Sequence, residues 1–188
     1  MTGEQLTAKL EKLGYTHLWL ESGVLTEEQL LEQEQLFDRG EDQNTEHYRY
    51  ATLSLYLQGK EALSTFELEH FLELLENDPN TYMAGSAAIA VFNLVELTDE
   101  QFDWFTEKIA VWGDWTRKTV LRQTFLRKLR KEDHSHELIN DCIMNGDAFV
   151  QNYLLENYRL DQKQLEALSV HGKNKRIRTA AKSHSLNS

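Results

Sequence analysis

The residue spacing that most resembles an enzyme site in this chain belongs to Glu67 and His70. Glu67-x-x-His70 places a carboxylate and an imidazole one turn apart on a predicted helix, as in di-iron carboxylate bundles. Such a site requires a second pair of this kind and two further glutamates, and the nearest copy, Asp133-x-x-His136, falls in a predicted loop. We therefore expect Glu67 to serve in a helix cap and His70 to lie on a helix face. A metal-dependent enzyme is therefore a less favoured hypothesis than a protein-binding or a nucleic-acid-binding function.

A second group of candidate metal ligands is the short run from His134 to His136. Two histidines at this spacing could chelate a transition metal, but in a charged turn such residues are usually solvated. The chain also lacks a His-Glu-x-x-His motif, a glycine-rich phosphate loop and a Gly-x-Ser-x-Gly nucleophile turn. We expect no metal site, no cofactor and no catalytic activity.

Cys142 is the single cysteine, so the chain forms no internal disulfide, which is typical of a reducing compartment. Its apolar neighbours, Ile143 and Met144, predict a buried thiol rather than a reactive one. The first residues lack the basic and apolar segments of a signal peptide, and no apolar run approaches the ~18 residues of a membrane helix. These features predict a soluble cytoplasmic protein that does not enter membranes.

Charge is distributed unevenly along the chain. The net charge is −11, but residues 1–110 carry 22 acidic and 6 basic side chains, whereas residues 111–188 carry 9 acidic and 14 basic ones. The two parts therefore have net charges of −16 and +5. Twelve of the 14 basic residues of the second part form two groups: Arg117, Lys118, Arg122, Arg127, Lys128, Arg130 and Lys131, and then Lys173, Lys175, Arg176, Arg178 and Lys182. Most simply, the Lys and Arg side chains near helix C-termini favour the helix dipole and pair with neighbouring Asp and Glu, and the acidic residues form a solvated face. Otherwise, this polarity suits an acidic protein or nucleic acid as partner of the second part and a basic partner for the first.

Five capping boxes predict where helices begin. Each consists of an apolar residue, a Thr, Ser or Asp, two free positions, a Glu or Gln, and then a Leu or Phe. The cap oxygen accepts a hydrogen bond from the backbone three residues later, and the Glu or Gln side chain returns to the cap. The cap residues are Thr2, Thr26, Ser64, Thr98 and Asp161, with Ser135 as a less regular sixth.

A second pattern lies between these helix starts. It consists of Asn or Asp, two free positions, a large residue, a residue that is often polar, two more free positions, and then Ala or Leu. The leading residue is expected to cap a second helix, and the periodic positions after it to form a buried stripe. The five copies begin at Asn44, Asn80, Asp114, Asp147 and Asn174, and Ala51, Leu55 and Leu121 are among the residues expected to be buried.

This second pattern resembles the HEAT repeat, whose second helix typically opens with Asp-x-x-Val-Arg-x-x-Ala. The copy that begins at Asn174 matches it best, with Ile177, Arg178 and Ala181 at the other three positions. The copy at Asp147 comes next, and the first three copies depart from the pattern at the Val position. The resemblance identifies an architecture and implies little about activity, because such folds serve many partners.

The resemblance covers about residues 25–185 and implies an all-α, right-handed α-solenoid of the HEAT or armadillo kind. In such a stack the second helices line the concave surface. The whole chain is then one domain, made of an N-terminal capping helix region and about five helical hairpins. The predicted boundaries are 1–20 for the cap and 25–60, 63–95, 97–131, 134–158 and 160–185 for the hairpins.

This architecture favours a binding module over a catalyst. We expect a non-catalytic scaffold or adaptor that binds a protein partner on its concave face. Nucleic-acid binding through the second helices of the third and fifth hairpins is the alternative, although the acidic net charge opposes it. The residues expected to contact a partner begin second helices or belong to the basic groups; they are Tyr48, Tyr82, Trp115, Lys118, Arg122, Arg176 and Arg178.

Overall fold

The computed structural model describes residues 2–131 and 135–186, the side chain of the last of these excepted. This part of the chain is helical and contains no β-strand, which confirms the all-α class; Ala62 and Glu96 form an isolated bridge. Its twelve α-helices are α1 (Gly3–Leu13), α2 (Leu18–Glu21), α3 (Glu27–Asp38), α4 (Thr45–Gln58), α5 (Thr65–Glu76), α6 (Thr81–Leu94), α7 (Asp99–Ile109), α8 (Asp114–Arg130), α9 (His136–Asn145), α10 (Ala148–Asn157), α11 (Gln162–His171) and α12 (Lys175–Leu186). The short helix α2 was not predicted.

The helices group into two compact units, Met1–Trp112 and Gly113–Ser188. In the first unit α6 packs against both α4 and α5, and α1 packs against α3 and α4. In the second unit α9 packs on α10, and α11 packs on α12. Also in the second unit, α9 contacts α11, while α10 lies between α8 and α12.

All five predicted capping boxes are present. In each of them the cap side chain accepts a hydrogen bond from the third helical residue, and the Glu or Gln side chain accepts one from the cap backbone. Ser135 also caps α9, since its hydroxyl accepts a hydrogen bond from the Leu138 backbone. The apolar residue that precedes the first box, Met1, lies outside the described residues.

The caps of the second helices follow the prediction in three of five cases. The side chains of Asn80, Asp147 and Asn174 accept hydrogen bonds from the first turns of α6, α10 and α12. The prediction is wrong for α8, because Gly113 occupies the cap and Asp114 is already helical. Asn44 precedes α4 without a side-chain cap hydrogen bond.

The predicted buried stripes of α4 and α8 are confirmed only in part: Phe125 on α8 and Tyr48 on α4 are buried, but three other positions are not. Leu55 is 57% exposed and Leu121 is 45% exposed, and Ala51 is exposed as well. In α4 the buried face includes Arg49 and Thr52, so it is rotated away from the face that apolar residues alone predict. Buried polar side chains have distant hydrogen-bond partners, and a pattern of apolar residues does not detect them.

The buried Arg49 joins three parts of the first unit. Its Nε donates to Asp78 Oδ2 (2.7 Å) and its Nη2 to Asp78 Oδ1 (3.3 Å). Its Nη1 donates to the carbonyl of Leu13 (2.8 Å), at the end of α1, and to Thr45 Oγ1 (3.1 Å). We call these four residues the arginine clamp. It connects α4 to the N-terminal helix and to the turn between α5 and α6.

The second unit contains comparable connections. Gln151, which is fully buried on α10, donates from Nε2 to the Ile143 carbonyl (2.7 Å) and accepts at Oε1 from the Lys173 backbone (2.7 Å). Arg122 on α8 donates from Nε to Asp147 Oδ2 (2.6 Å) at the start of α10. In both units, a side chain on the second helix of one predicted hairpin therefore forms a hydrogen bond with the turn that precedes the second helix of the next hairpin.

Candidate functional site

Three large apolar side chains are exposed on α8 and α10 in the second unit. Trp115 is 53% exposed, Leu121 45% and Phe149 55%. Trp115, Lys118 and Arg122 are three and four residues apart and share one face of α8. Trp115 and Phe149 are each the second residue of their helix, and the two helices are in contact. We call these five residues the α8–α10 patch.

Arg122 is held between the two helices of the patch. Its guanidinium carbon lies 5.6 Å from the centre of the Phe149 ring, in addition to its hydrogen bond with Asp147. The other oxygen of Asp147 accepts hydrogen bonds from the backbones of Phe149 and Val150, both at 3.0 Å. Asp147 therefore starts α10 and fixes Arg122 at the same time. The patch presents a guanidinium in a set position beside an exposed ring, which is a cation–π arrangement.

The positive charge of the patch region is partly balanced within the protein. Arg122 is paired with Asp147, and Arg117 is paired with Asp114 at 2.5 Å. Among the described residues Lys118 forms no ion pair, and its side chain is exposed. The surface is therefore aromatic and moderately basic rather than a continuous row of unpaired cations.

Arg176 and Arg178 lie on α12, which packs on α10. Arg176 is exposed and, like Trp115 and Phe149, is the second residue of its helix. Arg178 is half-buried, and its Nη1 donates to the Gly172 carbonyl (2.6 Å). In the part of the chain that the structure describes, neither arginine forms a hydrogen bond or ion pair with the α8–α10 patch.

The two tyrosines proposed as partner contacts differ in exposure. Tyr48 is buried, and its hydroxyl donates to the Asp42 carbonyl (2.9 Å), so the expectation that it is an exposed anchor is wrong. Burial raises the pKa of the Tyr48 hydroxyl. Tyr82 is 86% exposed at the start of α6. Its exposure agrees with the prediction, and its role stays a prediction.

Glu67 and His70 have structural partners. The Glu67 carboxylate accepts hydrogen bonds from Lys60 Nζ (2.6 Å) and from the backbone and hydroxyl of Ser64 (both 2.8 Å). These contacts, the one from Lys60 first, lower the pKa of Glu67 to about 2. His70 Nδ1 faces the Phe66 carbonyl (2.9 Å), and the two rings pack 4.0 Å apart.

The described residues contain no group of three or more His, Cys, Asp or Glu side chains that could hold a metal ion. His134 and Asp133 lie outside these residues. His136 is described, and its Nδ1 is 3.6 Å from Asp161 Oδ2. The arrangement around residues 67 and 70 therefore supports a helix cap and gives no support to metal chemistry.

Cys142 is fully buried, as predicted, in a cluster with Ile143, Val150 and Leu154. Burial raises the pKa of its thiol to about 12. Such a thiol stays protonated at neutral pH and is a poor nucleophile. None of the helices in the described ranges is long and apolar enough to cross a membrane.

No protein family matches this chain, and neither a curated protein nor a solved structure is significantly similar to it. The site must therefore be interpreted from its own residues. Sequence reasoning selected Trp115, Lys118 and Arg122 but missed Leu121 and Phe149. A positional signal could have found Phe149, because it follows its cap by two residues, as Trp115 follows Gly113.

Proposed function

We propose that the protein is a non-catalytic protein-interaction module, built as a HEAT-like α-solenoid of about five hairpins, that binds an acidic protein partner through the α8–α10 patch. The packing of α8, α10 and α12 in order supports the repeat architecture, as does the contact between α9 and α11. The bonds from Arg49, Arg122 and Gln151 to the following turns support it as well. Repeat folds are stabilised by such contacts between neighbouring repeats.

The observation that carries the proposal is the exposed Phe149 ring, 5.6 Å from the fixed guanidinium of Arg122, on a helix that contacts α8, where Trp115 and Leu121 are also exposed. Aromatic and Arg side chains are enriched among the residues that contribute most to binding at protein interfaces. Lys118, beside these rings, attracts carboxylates, and the net charge of +5 in residues 111–188 does the same over a longer range.

Nucleic-acid binding is the second candidate, and exposed Lys118 and Arg176 favour it. Nucleic-acid affinity rises with the number of Lys and Arg side chains that are free to neutralise phosphates, because each one releases counterions condensed on the nucleic acid. Arg117 and Arg122 already have carboxylate partners in the protein, so fewer cations remain for a polyanion. For this reason we place an acidic protein partner first.

The test of the proposal uses the full chain as bait and compares three forms of it. The first is the unchanged protein, the second is Trp115→Ala/Phe149→Ala, and the third is Val170→Ala, a control in the same unit that removes a side chain 68% exposed on α11. We expect a defined partner to bind the unchanged protein and the control. Loss of two aromatic anchors, at about 2 kcal/mol each, should weaken binding by about 4 kcal/mol, which is on the order of several hundred-fold. Equal binding by the double variant would refute the proposal.

The nucleic-acid alternative is tested by titrating labelled single-stranded and duplex nucleic acid at increasing salt concentration. Lys118→Glu/Arg176→Glu is the informative variant, because Arg122 also holds the start of α10 and its loss would disturb the fold. Salt-sensitive binding that this variant abolishes would place nucleic acid first. Absence of binding at low salt would remove this candidate.

A further inference from the structure

The outward face of α4 and α6 in the first unit is a second surface, with a different chemistry from the α8–α10 patch. Helix α6 has no charged residue, and its buried side is packed with small and apolar side chains. Tyr82, 86% exposed, is its most prominent outward side chain. Ser86 and Ile89, which are half-buried, and Asn93, which is exposed, lie on the same side of α6 as Tyr82, because they follow it by about one, two and three helical turns.

Helix α4, which packs beside α6, has a similar outward face. Leu55 is 57% exposed and Tyr50 is 39% exposed, with His47, Ala51 and Gln58 also exposed. The one arginine of α4 is buried in the arginine clamp, and the one acidic residue, Glu46, is half-buried. We call the outward residues of these two helices the α4–α6 face. It is nearly uncharged within a unit that carries 22 acidic side chains.

One edge of this face is negatively charged. The backbone N–H of Glu96 donates to the carbonyl of Glu61 (2.8 Å), which brings together two exposed glutamates just beyond the ends of α6 and α4. Both helices also end without a basic residue in the last turn, so their C-terminal partial charges are not offset there. The nearby Lys60 is bound to Glu67. A partner of this face therefore needs apolar side chains over the helices and cations at this edge.

The size of the face limits the kind of partner. Each of the two helices has 14 residues and is therefore about 21 Å long, and packed helices lie about 8–10 Å apart. With its side chains each helix is about 10 Å wide, so the two together are about 20 Å wide. The face then covers roughly 400 Å², about half of the ~800 Å² that each partner buries in a standard protein interface. An area of this length and width fits one helix of three to four turns better than a folded domain.

We infer that the α4–α6 face binds a basic amphipathic helix of a protein partner. The apolar side chains of that helix pack between Tyr82 and Leu55, and Lys or Arg side chains at one end meet Glu61 and Glu96. The inference does not depend on the α8–α10 patch, because it concerns a different unit and a partner segment of opposite charge.

The test uses three designed 14-residue peptides and the full chain labelled with ¹⁵N. The first peptide has Leu at helical i, i+3, i+4 and i+7 spacing and Lys elsewhere; the second replaces Lys with Glu; the third scrambles the first. We expect the Leu/Lys peptide to bind with a Kd on the order of 10–100 μM, as suits a small interface. Amide shift changes should concentrate in α4, α6 and around Glu61 and Glu96. The inference would be overturned if the scrambled or the Leu/Glu peptide bound equally well, or if no peptide bound. It would also be overturned if the amide shift changes lay in other helices.

Three variants distinguish binding at the α4–α6 face from the general electrostatic attraction of a basic peptide to an acidic protein. Tyr82→Ala should weaken the Leu/Lys peptide about tenfold or more, since an exposed aromatic anchor contributes well over 1 kcal/mol. Phe66→Ala is the matched control, because Phe66 is 67% exposed in the same unit but lies on α5. Glu61→Lys/Glu96→Lys should weaken the Leu/Lys peptide and strengthen the Leu/Glu peptide. The inference fails if the Phe66 variant loses as much affinity as the Tyr82 variant, or if the charge reversal changes neither affinity.

Discussion

Replacing Arg49 with methionine removes the guanidinium of the arginine clamp and keeps an unbranched side chain. The guanidinium makes four hydrogen bonds, two of them to the fully buried Asp78 carboxylate. In the variant that carboxylate retains one bond, from the Asn80 backbone (2.8 Å). Removing one partner of a buried ion pair typically costs roughly 3–5 kcal/mol, because the other charge stays buried and unpaired. We expect a loss of about 4 kcal/mol in the free energy of unfolding.

Urea denaturation followed by circular dichroism measures this loss, and hydrogen exchange localises it to the amides of α1, α4 and the α5–α6 turn. The double variant Arg49→Met/Asp78→Asn should recover about 2 kcal/mol, since no charge is then buried and the Asn80 backbone keeps an acceptor. Arg117→Met, which breaks an exposed pair, serves as a control and should cost less than about 1 kcal/mol. A loss below about 1 kcal/mol in Arg49→Met, or no recovery in the double variant, would refute this reasoning.

Two further predictions concern the same unit. Gly14→Ala should destabilise the protein by more than Gly40→Ala. Both glycines have a φ near +75°, where a side chain costs roughly 1 kcal/mol. At Gly14 an added Cβ would also collide with the buried guanidinium of the clamp. At Gly40 an added Cβ would meet no atom within 4 Å. Equal losses in urea denaturation would contradict this. Because the pKa of Glu67 is lowered to about 2, its stabilising contribution is complete above about pH 4.5 and is lost as pH falls toward 2. We expect this contribution to the free energy of unfolding to be about 1 kcal/mol after allowance for solvent screening. Glu67→Gln should therefore reduce the pH dependence of stability between about pH 4.5 and 2 in urea denaturation; the same pH dependence in the variant would contradict the pairing of Glu67 with Lys60.

The sequence by itself determined eleven of the twelve described α-helices and most of their starts. A capping box joins a side chain to the backbone only three residues away, so it forms whatever the rest of the chain does. For that reason Thr26, Ser64 and Thr98 cap their helices as predicted, and the all-α class follows from the same local signals. Exposure of Tyr82 and Trp115 was also predictable, because both lie in the first turn, away from the apolar stripe.

For helices whose buried face includes polar side chains, only the tertiary structure decided which face is buried. Arg49 and Asp78 are 29 residues apart, and Arg122 and Asp147 are 25 residues apart, so neither pairing is visible in a local pattern. The buried face of α4 includes Arg49, and Leu55 lies outside that face, 57% exposed. Likewise, Asp147 fixes Arg122 beside the next helix. The functional surfaces therefore depend on contacts between sequence-distant residues, whose energy is gained only after the helices have packed.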